Sequence, residues 1–583
     1  MSNTTEVPTF FGPQSNPLFG VLHLPDDNRI RGAVLVCASL GKEGMDSIRF
    51  QRILADELAQ SGYAVLRFDY LGTGNSSFSR LRDSAVEEWT ASVQHAHAYL
   101  TEIGVPSVSA VAIRAGALIL HNAIASGTPI DRAVYLDPPA TGRRYLREQS
   151  ALFKISVGSD AVQDGIVSTI GGLLSSAAAQ KFSTLKLSPE AMTELDQLLV
   201  LRPGAQNAFA GIPVESDRIH LSTVRGLPEF AQTSDIVVPM PLEALDQIVA
   251  WLGQHLGRSP VQVRPHYQKS APIPADTGAV LESIEMIGAE KMFAIRSRPI
   301  GSRPGAGRVV LFFVTANDPH VGPAREWVEL SRQIAENGLQ AVRWDRSGRG
   351  QSPPIDRSQW LPIFSHAQIE DGLAAARFAA DDPQHLTVVG ICSGAWYAAH
   401  AARAYGVESA ILINNGNWNW HSLGRLAWQW NVRSNILAAA TTPAADVDAP
   451  EIRIERPSIR TRVIEYLKPK RDVAKVLLRK LMPRTVKRGL GRAGVAQVPE
   501  LILAPLARNG TKTVIMLSPM DDRLFTDHGG YAAVEHLQRA GMAIDTIRYP
   551  GGDHAAYHQA ALEAIRHQVL TVAVGADTPS TST

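Results

Sequence analysis

Short, uninterrupted apolar runs recur along this chain, bounded by turn-forming residues and followed by stretches with helical spacing. Residues 31–37 (RGAVLVC), 64–68, 308–313, 341–344, 385–389, 409–413, 514–518 and 543–549 read as buried strands, and the Ala-rich stretch 395–406 reads as a helix. The pattern runs through twice. Asp69-x-x-Gly72-x-Gly74-x-Ser76 returns as Asp345-x-x-Gly348-x-Gly350-x-Ser352, and the strand at 31–37 returns at 308–313. Strands alternating with helices in two series predict the α/β class, with two tandem units, each a mostly parallel sheet flanked by helices and carrying a cap insertion. The predicted divisions are a first unit at 1–257, a Pro-rich linker at 258–274 and a second unit at 275–575. The second unit has its cap at about 415–500, and a disordered Ser/Thr tail follows at 576–583.

The candidate chemistry sits between a strand and a helix, at Gly390-Ile391-Cys392-Ser393-Gly394. A five-residue turn with Gly at both ends is the nucleophile elbow of an α/β-hydrolase. Its central residue is held in a strained backbone conformation, and only residues without side chains fit beside it. Cys392 is the predicted nucleophile, because a helix N-terminus and a His partner both favour a thiolate. His554, on a loop after the strand at 543–549, is the predicted base, with His528 a weaker choice. Asp521, three residues past Ser518, is the predicted acid ahead of Asp522. The predicted oxyanion donors are the N–H of Ser393 and that of Ala316 or Asn317. Asn317, Asp318 and His320 are placed around the pocket. In the first series Arg114 occupies the nucleophile position and Ala112 replaces the leading Gly. No His lies in 235–252, where a catalytic one is expected. A protonated Arg cannot attack a carbonyl, so no triad is predicted there. Arg114 either binds an anion at its helix N-terminus or pairs with a buried acid such as Asp137.

Composition adds exclusions. The 583 residues carry a formal charge of +1 and are 45% hydrophobic, which calls for neither nucleic acid nor a membrane surface. Two cysteines, Cys37 and Cys392, leave no disulfide framework and point to a reducing cytoplasm. The start of the chain lacks a signal-peptide pattern, and no window approaches 18 apolar residues, so no integral membrane segment is expected. No metal or cofactor is predicted. Trp418, Trp420, Trp428 and Trp430 fall where a cap is inserted and predict an aromatic lid, with Trp396 beside the elbow as a further pocket residue. Residues 453–492 are rich in Lys and Arg. They read as a solvated face or as a docking surface for an acidic acyl or peptidyl carrier protein. A homodimer is compatible with the pattern.

Gly390-Ile-Cys-Ser-Gly-Ala395, Asn317…His320-Val-Gly-Pro323 and Leu412-Ile-Asn414 make the second half resemble serine-aminopeptidase-like α/β-hydrolases of polysaccharide and peptide natural-product clusters. The first half is similar to exosortase-system-associated hydrolases through Phe19-Gly-Val-Leu-His23, Arg67-Phe-Asp69 and Gly142-Arg-Arg-Tyr-Leu-Arg147. The resemblance implies that Cys392, Asp521 and His554 fall on triad positions, and that an Arg at the elbow is accepted in the first half. Dienelactone hydrolases share the Gly-x-Cys-x-Gly elbow, but the surroundings match them poorly. The expected function is acyl transfer through a Cys392 thioester, from a small-molecule ester, thioester or amide. The enzyme would serve as an acyltransferase or cyclase, or as a hydrolase or thioesterase, in biosynthesis. The competing expectation is a pair of retired hydrolase folds that bind a ligand or partner.

Overall fold

The computed structural model describes residues 4–204, 217–231, 238, 240–357, 363–421, 482–551 and 553–575. Among these, most strands belong to two large sheets. The first holds β1 (Thr4–Phe11), β2 (Leu18–Pro25), β3 (Gly32–Cys37), β4 (Tyr63–Phe68), β5 (Val108–Ile113), β6 (Arg132–Leu136), β7 (Gln197–Arg202) and β8 (Ile219–Thr223), in the order β1-β2-β4-β3-β5-β6-β7-β8. The second holds β9 (Ser270–Ala275), β10 (Gly278–Ile287), β11 (Met292–Pro299), β12 (Val309–Phe313), β13 (Gln340–Trp344), β14 (Leu386–Ile391), β15 (Ser409–Ile413), β16 (Lys512–Leu517) and β17 (Ile544–Arg548). Its order is β9-β10-β11-β13-β12-β14-β15-β16-β17.

In both sheets the leading strands pair antiparallel and the rest pair parallel. Every residue of β3, β4 and β5, and of β12, β14 and β15, is buried, which is why these strands read as unbroken apolar runs between helical layers. Strand order reverses at β3 and at β12. Loops leaving the neighbouring strands diverge there and open a crevice at the carboxyl edge. Both sheets thus share one doubly wound α/β order.

The repeated Asp-x-x-Gly-x-Gly-x-Ser pattern has a physical basis. Gly74 and Gly350 both take φ +47°, and a Cβ on either would sit 2.0 or 2.2 Å from the carboxylate of Asp69 or Asp345. Each carboxylate accepts a backbone N–H at 2.8 Å, from Asn75 and from Gln351. Each closing serine accepts the N–H of an aromatic residue, Phe19 for Ser76 and Phe293 for Ser352, at 2.9 and 2.8 Å.

These same loops hold the halves together, reciprocally. Arg67 donates to Gln351 Oε1 at 3.0 Å, and Arg343 donates to Asn75 Oδ1 at 3.3 Å. Arg52 reaches the carbonyls of Gly350 and Ser352, while Arg332 reaches those of Asn75 and Ser76. Buried Glu282 pairs with both Arg332 and Arg343, at 3.0 and 2.8 Å, and Glu6 pairs with both Arg52 and Arg67. Between these polar bands Phe10, Phe19 and Val21 pack on Ile273, Phe293 and Ile295 in one apolar cluster, with the Phe19 and Phe293 rings 5.8 Å apart. The stretch 258–274 is stitched in as well. Val263 and Arg264 donate to the Asn28 and Ile103 carbonyls, and Phe10 donates to Gln268 before β9 begins.

Candidate active site

Cys392 lies at the carboxyl end of β14 with φ 53° and ψ −116°, and the helix Ser393–Tyr405 starts immediately after it. The flanking glycines are sterically required. A Cβ on Gly390 would fall 2.4 Å from the Gly394 carbonyl, and one on Gly394 would fall 2.7 Å from the carbonyls of Phe313 and Val314. The strained turn lifts the thiol out of the sheet edge, where it is partly exposed.

His554 Nε2 lies 2.9 Å from Cys392 Sγ, and its Nδ1 lies 2.9 and 3.1 Å from the two oxygens of Asp521. Asp521 is buried in the first turn of the helix Pro519–Asp527, and Ser518 donates its hydroxyl to the Asp521 carboxylate at 2.6 Å. Asp522 points elsewhere, accepting from Tyr531 and from Arg548. The negative charge on Cys392 raises the His554 pKa well above the ordinary value. Burial opposes this, and the hydrogen bond to Asp521 adds to it. The geometry suits an imidazolium placed between a thiolate and a carboxylate.

Asn414 is a residue whose role the sequence reading did not assign. It follows β15 with φ +46°, a conformation Asn tolerates better than most residues. Its amide donates to Tyr549 Oη at 2.6 Å and to the His554 carbonyl at 2.9 Å, and its oxygen accepts the Ser518 N–H at 2.8 Å. One side chain thus ties the acid-bearing turn to the His-bearing loop. Asp553 shapes that loop from the other side by accepting the Tyr557 N–H at 2.8 Å. Asn414→Ala is expected to lower stability by about 2–3 kcal/mol, since it orphans buried partners at a left-handed position. Urea unfolding measures this, and a change below about 0.5 kcal/mol would remove Asn414 from this role.

Several other expected residues are placed differently. Ser393 presents the first helical N–H, which has no intrahelical acceptor. The Ala316 N–H is not open: it donates to the Ser393 hydroxyl at 2.8 Å. Asn317 lines a small cavity between the halves, with Arg49 and Phe230 among the other walls. His320 is buried, with Nδ1 2.8 Å from Asp345 in its own half and Nε2 3.0 Å from Asn75 across the junction. Among the described residues the Trp side chains take packing roles. Trp396 is fully buried and donates to the Asn419 carbonyl, Trp418 packs on Phe525, and Trp420 donates to the Leu501 carbonyl beneath Arg403. Trp428, Trp430, most of the expected cap and most of the basic segment lie outside the described residues.

The first elbow has the same backbone shape, φ 49° and ψ −117° at Arg114, with different contents. Glu43, Asp137 and Glu148 surround the guanidinium at 3.2, 3.0 and 2.6 Å. Arg114 is therefore neutralised inside the protein, and an external anion would have to displace a carboxylate. The Ala115 N–H, the counterpart of a candidate oxyanion donor, is taken by Ser39 Oγ at 3.3 Å. Asp137, with φ +45°, stands in this half where Asn414 stands in the other.

Among the described residues no group of His, Cys, Asp and Glu could hold a metal ion, and no helix is long and apolar enough to cross a membrane. Fold and site together define an α/β-hydrolase arrangement with a cysteine at its elbow. Comparison with protein-family models gives no match, and comparison with curated proteins gives none. Solved structures with a similar fold include a monoglyceride lipase from Saccharomyces cerevisiae, at 16% identity over 43% of this chain and 97% of that one, with a TM-score of 0.31. A dienelactone hydrolase from Anabaena variabilis is 12% identical over 50% of this chain and 94% of its own, with a TM-score of 0.27. Fungal esterases from Rhizomucor miehei are 15% identical over 43% and 83%, also with a TM-score of 0.27.

Proposed function

We propose that the second half is an acyl-transfer enzyme working through a Cys392 thioester, with the first half as its non-catalytic partner. The observation that supports this reading is the continuous contact Cys392–His554–Asp521, with 2.9 Å at both of its shortest links. The Cys392 thiolate attacks an ester, thioester or amide carbonyl, and the carbonyl π pair moves onto oxygen. That oxyanion sits against the Ser393 N–H, joined by the Ala316 N–H once the Ser393 hydroxyl turns aside. His554 passes its Nε2 proton to the leaving group as the tetrahedral adduct collapses. An amine, thiol, alcohol or water then gives its proton to His554 and attacks the thioester, which releases Cys392 as thiolate. Asp521 keeps the imidazole oriented and stabilises its charged form in both steps. Thioesters react readily with amines and thiols, which favours transfer or ring closure alongside hydrolysis.

Intact-protein mass spectrometry after incubation with a panel of acyl thioesters tests the proposal. A single acyl adduct is expected on the wild-type chain and none on Cys392→Ala. Equal adducts on both proteins would overturn it.

A further inference from the structure

The turn that carries the Ala316 N–H belongs to the second half but is held in part from the first. Residues 315–318 close on themselves through the Asp318 N–H, which donates to the Thr315 carbonyl at 3.0 Å. Ala316 sits inside this turn at φ +32°. A residue with a side chain keeps such a conformation only where its surroundings over-determine it. The second half supplies Arg346, which donates to the Ala316 carbonyl at 2.7 Å. The first half supplies Lys42, whose ammonium lies 3.2 Å from Asp318 Oδ1, with the two side chains 1% and 3% exposed. Lys42 also donates to Asp46 on its own short helix, Gly41–Asp46. Further along the same segment, Asn75 lies 3.0 Å from His320 Nε2, and the Gly74 and Ser76 carbonyls accept from Arg325 at 2.8 Å.

The Lys42–Asp318 pair has a special place in the duplication. The spacing that carries Asp69 onto Asp345 also carries Lys42 onto Asp318, so the contact joins equivalent positions of the two copies. Identical copies would set like charges face to face there, which is repulsive. Only copies that differ make the contact attractive, and at this depth solvent screens it little.

We infer that Lys42 is a positioning residue for acyl transfer at Cys392. Acting through Asp318, it fixes the turn that aims the Ala316 N–H at the oxyanion, which gives the non-catalytic half a task in the reaction. The inference rests on the thioester mechanism proposed above.

Two reactions of one thiol, followed on the full chain by intact-protein mass spectrometry, test it. Acylation by acetyl or hexanoyl thioesters of N-acetylcysteamine develops an oxyanion, whereas alkylation by iodoacetamide displaces iodide and develops none. Lys42→Met is expected to lower the limiting acylation rate about 10–100-fold, the cost of a misplaced donor. The half-saturating thioester concentration should change by less than about three-fold, and alkylation at pH 7 should stay within about two-fold. Asp318→Asn breaks the same contact from the other side and should show the same split, so it decides the matter if Lys42→Met does not fold. The double variant should be no slower than the slower single one, since both act through one contact. Asp46→Asn, which touches only the first-half partner of Lys42, should acylate within about three-fold of wild type. Acylation within about three-fold of wild type in both Lys42→Met and Asp318→Asn, or acylation and alkylation falling together, would overturn the assignment. A wild-type chain that no thioester acylates would overturn the thioester mechanism itself, and this inference with it.

Discussion

His554→Ala is expected to turn a nearly pH-independent alkylation of Cys392 into a steeply pH-dependent one. The His554 pKa lies well above its usual value, raised first by the Cys392 charge, and on the proposed mechanism the imidazolium stabilises the thiolate in turn. On the proposed mechanism a thiolate paired in this way should persist to lower pH than a free thiol, and the iodoacetamide rate should be flat from about pH 6 to 8. A thiol without that partner ionises near pH 8.5, which leaves roughly one molecule in 300 as thiolate at pH 6. Cys37 serves as an internal control. Burial pushes its thiol up to about 12, so on the order of one in 100,000 is ionised at pH 7, and it should stay unlabelled. With any acyl substrate that acylates Cys392, the same substitution should cost about 10²–10⁴ in rate. Asp521→Asn should fall in a similar range by presenting the wrong tautomer. A wild-type profile that climbs through pH 8.5 like a free thiol would remove the paired thiolate from the mechanism.

The second large effect lies at the junction of the halves. Burial alone would push the Glu282 carboxyl up, but Arg332 and Arg343 more than offset this and hold it at about 2. A carboxyl lowered this far contributes stability that is fully present above about pH 4.5. That contribution, about 3 kcal/mol, is lost as pH falls toward 2. Arg343→Met leaves Glu282 with one cation instead of two and strips a donor from Asn75. The expected loss is about 3–5 kcal/mol, the usual result of breaking a buried pair from one side. Urea unfolding at pH 7 measures it, and repeating the comparison at pH 3 should show a smaller gap. A loss below about 1 kcal/mol at pH 7 would mean that the junction draws little stability from this pair.

The parts of the molecule visible in the sequence are those with a local steric cause. Gly390 and Gly394 are fixed by carbonyls that a Cβ would strike, and Gly74 and Gly350 by the carboxylates they enclose, so both patterns survive as letters at fixed spacing. Buried strands such as β12 and β14 announce themselves as apolar runs for the same local reason. The junction has no such signature. His320 binds Asn75 across 245 positions and Arg343 binds Asn75 across 268, and nothing near either residue records the partner. Ala316 is a related case: its loop position is readable, but the Ser393 hydroxyl that takes its N–H comes from another element. Asn414 sat in a quoted motif without a role, because its function is to bridge two loops more than a hundred residues downstream.

The reciprocal contacts across the junction carry one further consequence. Exchanging the two halves maps Arg67–Gln351 onto Arg343–Asn75 and the Glu6 arginine pair onto the Glu282 pair. Such self-complementarity is the signature of an isologous, two-fold interface, here written into one polypeptide. In a symmetric pair of separate subunits every substitution appears twice, so losing the nucleophile from one copy loses it from both. Covalent fusion lifts that restriction. One copy can then carry Arg114 and Asp137 where the other carries Cys392 and Asn414, while both keep the shared contact surface.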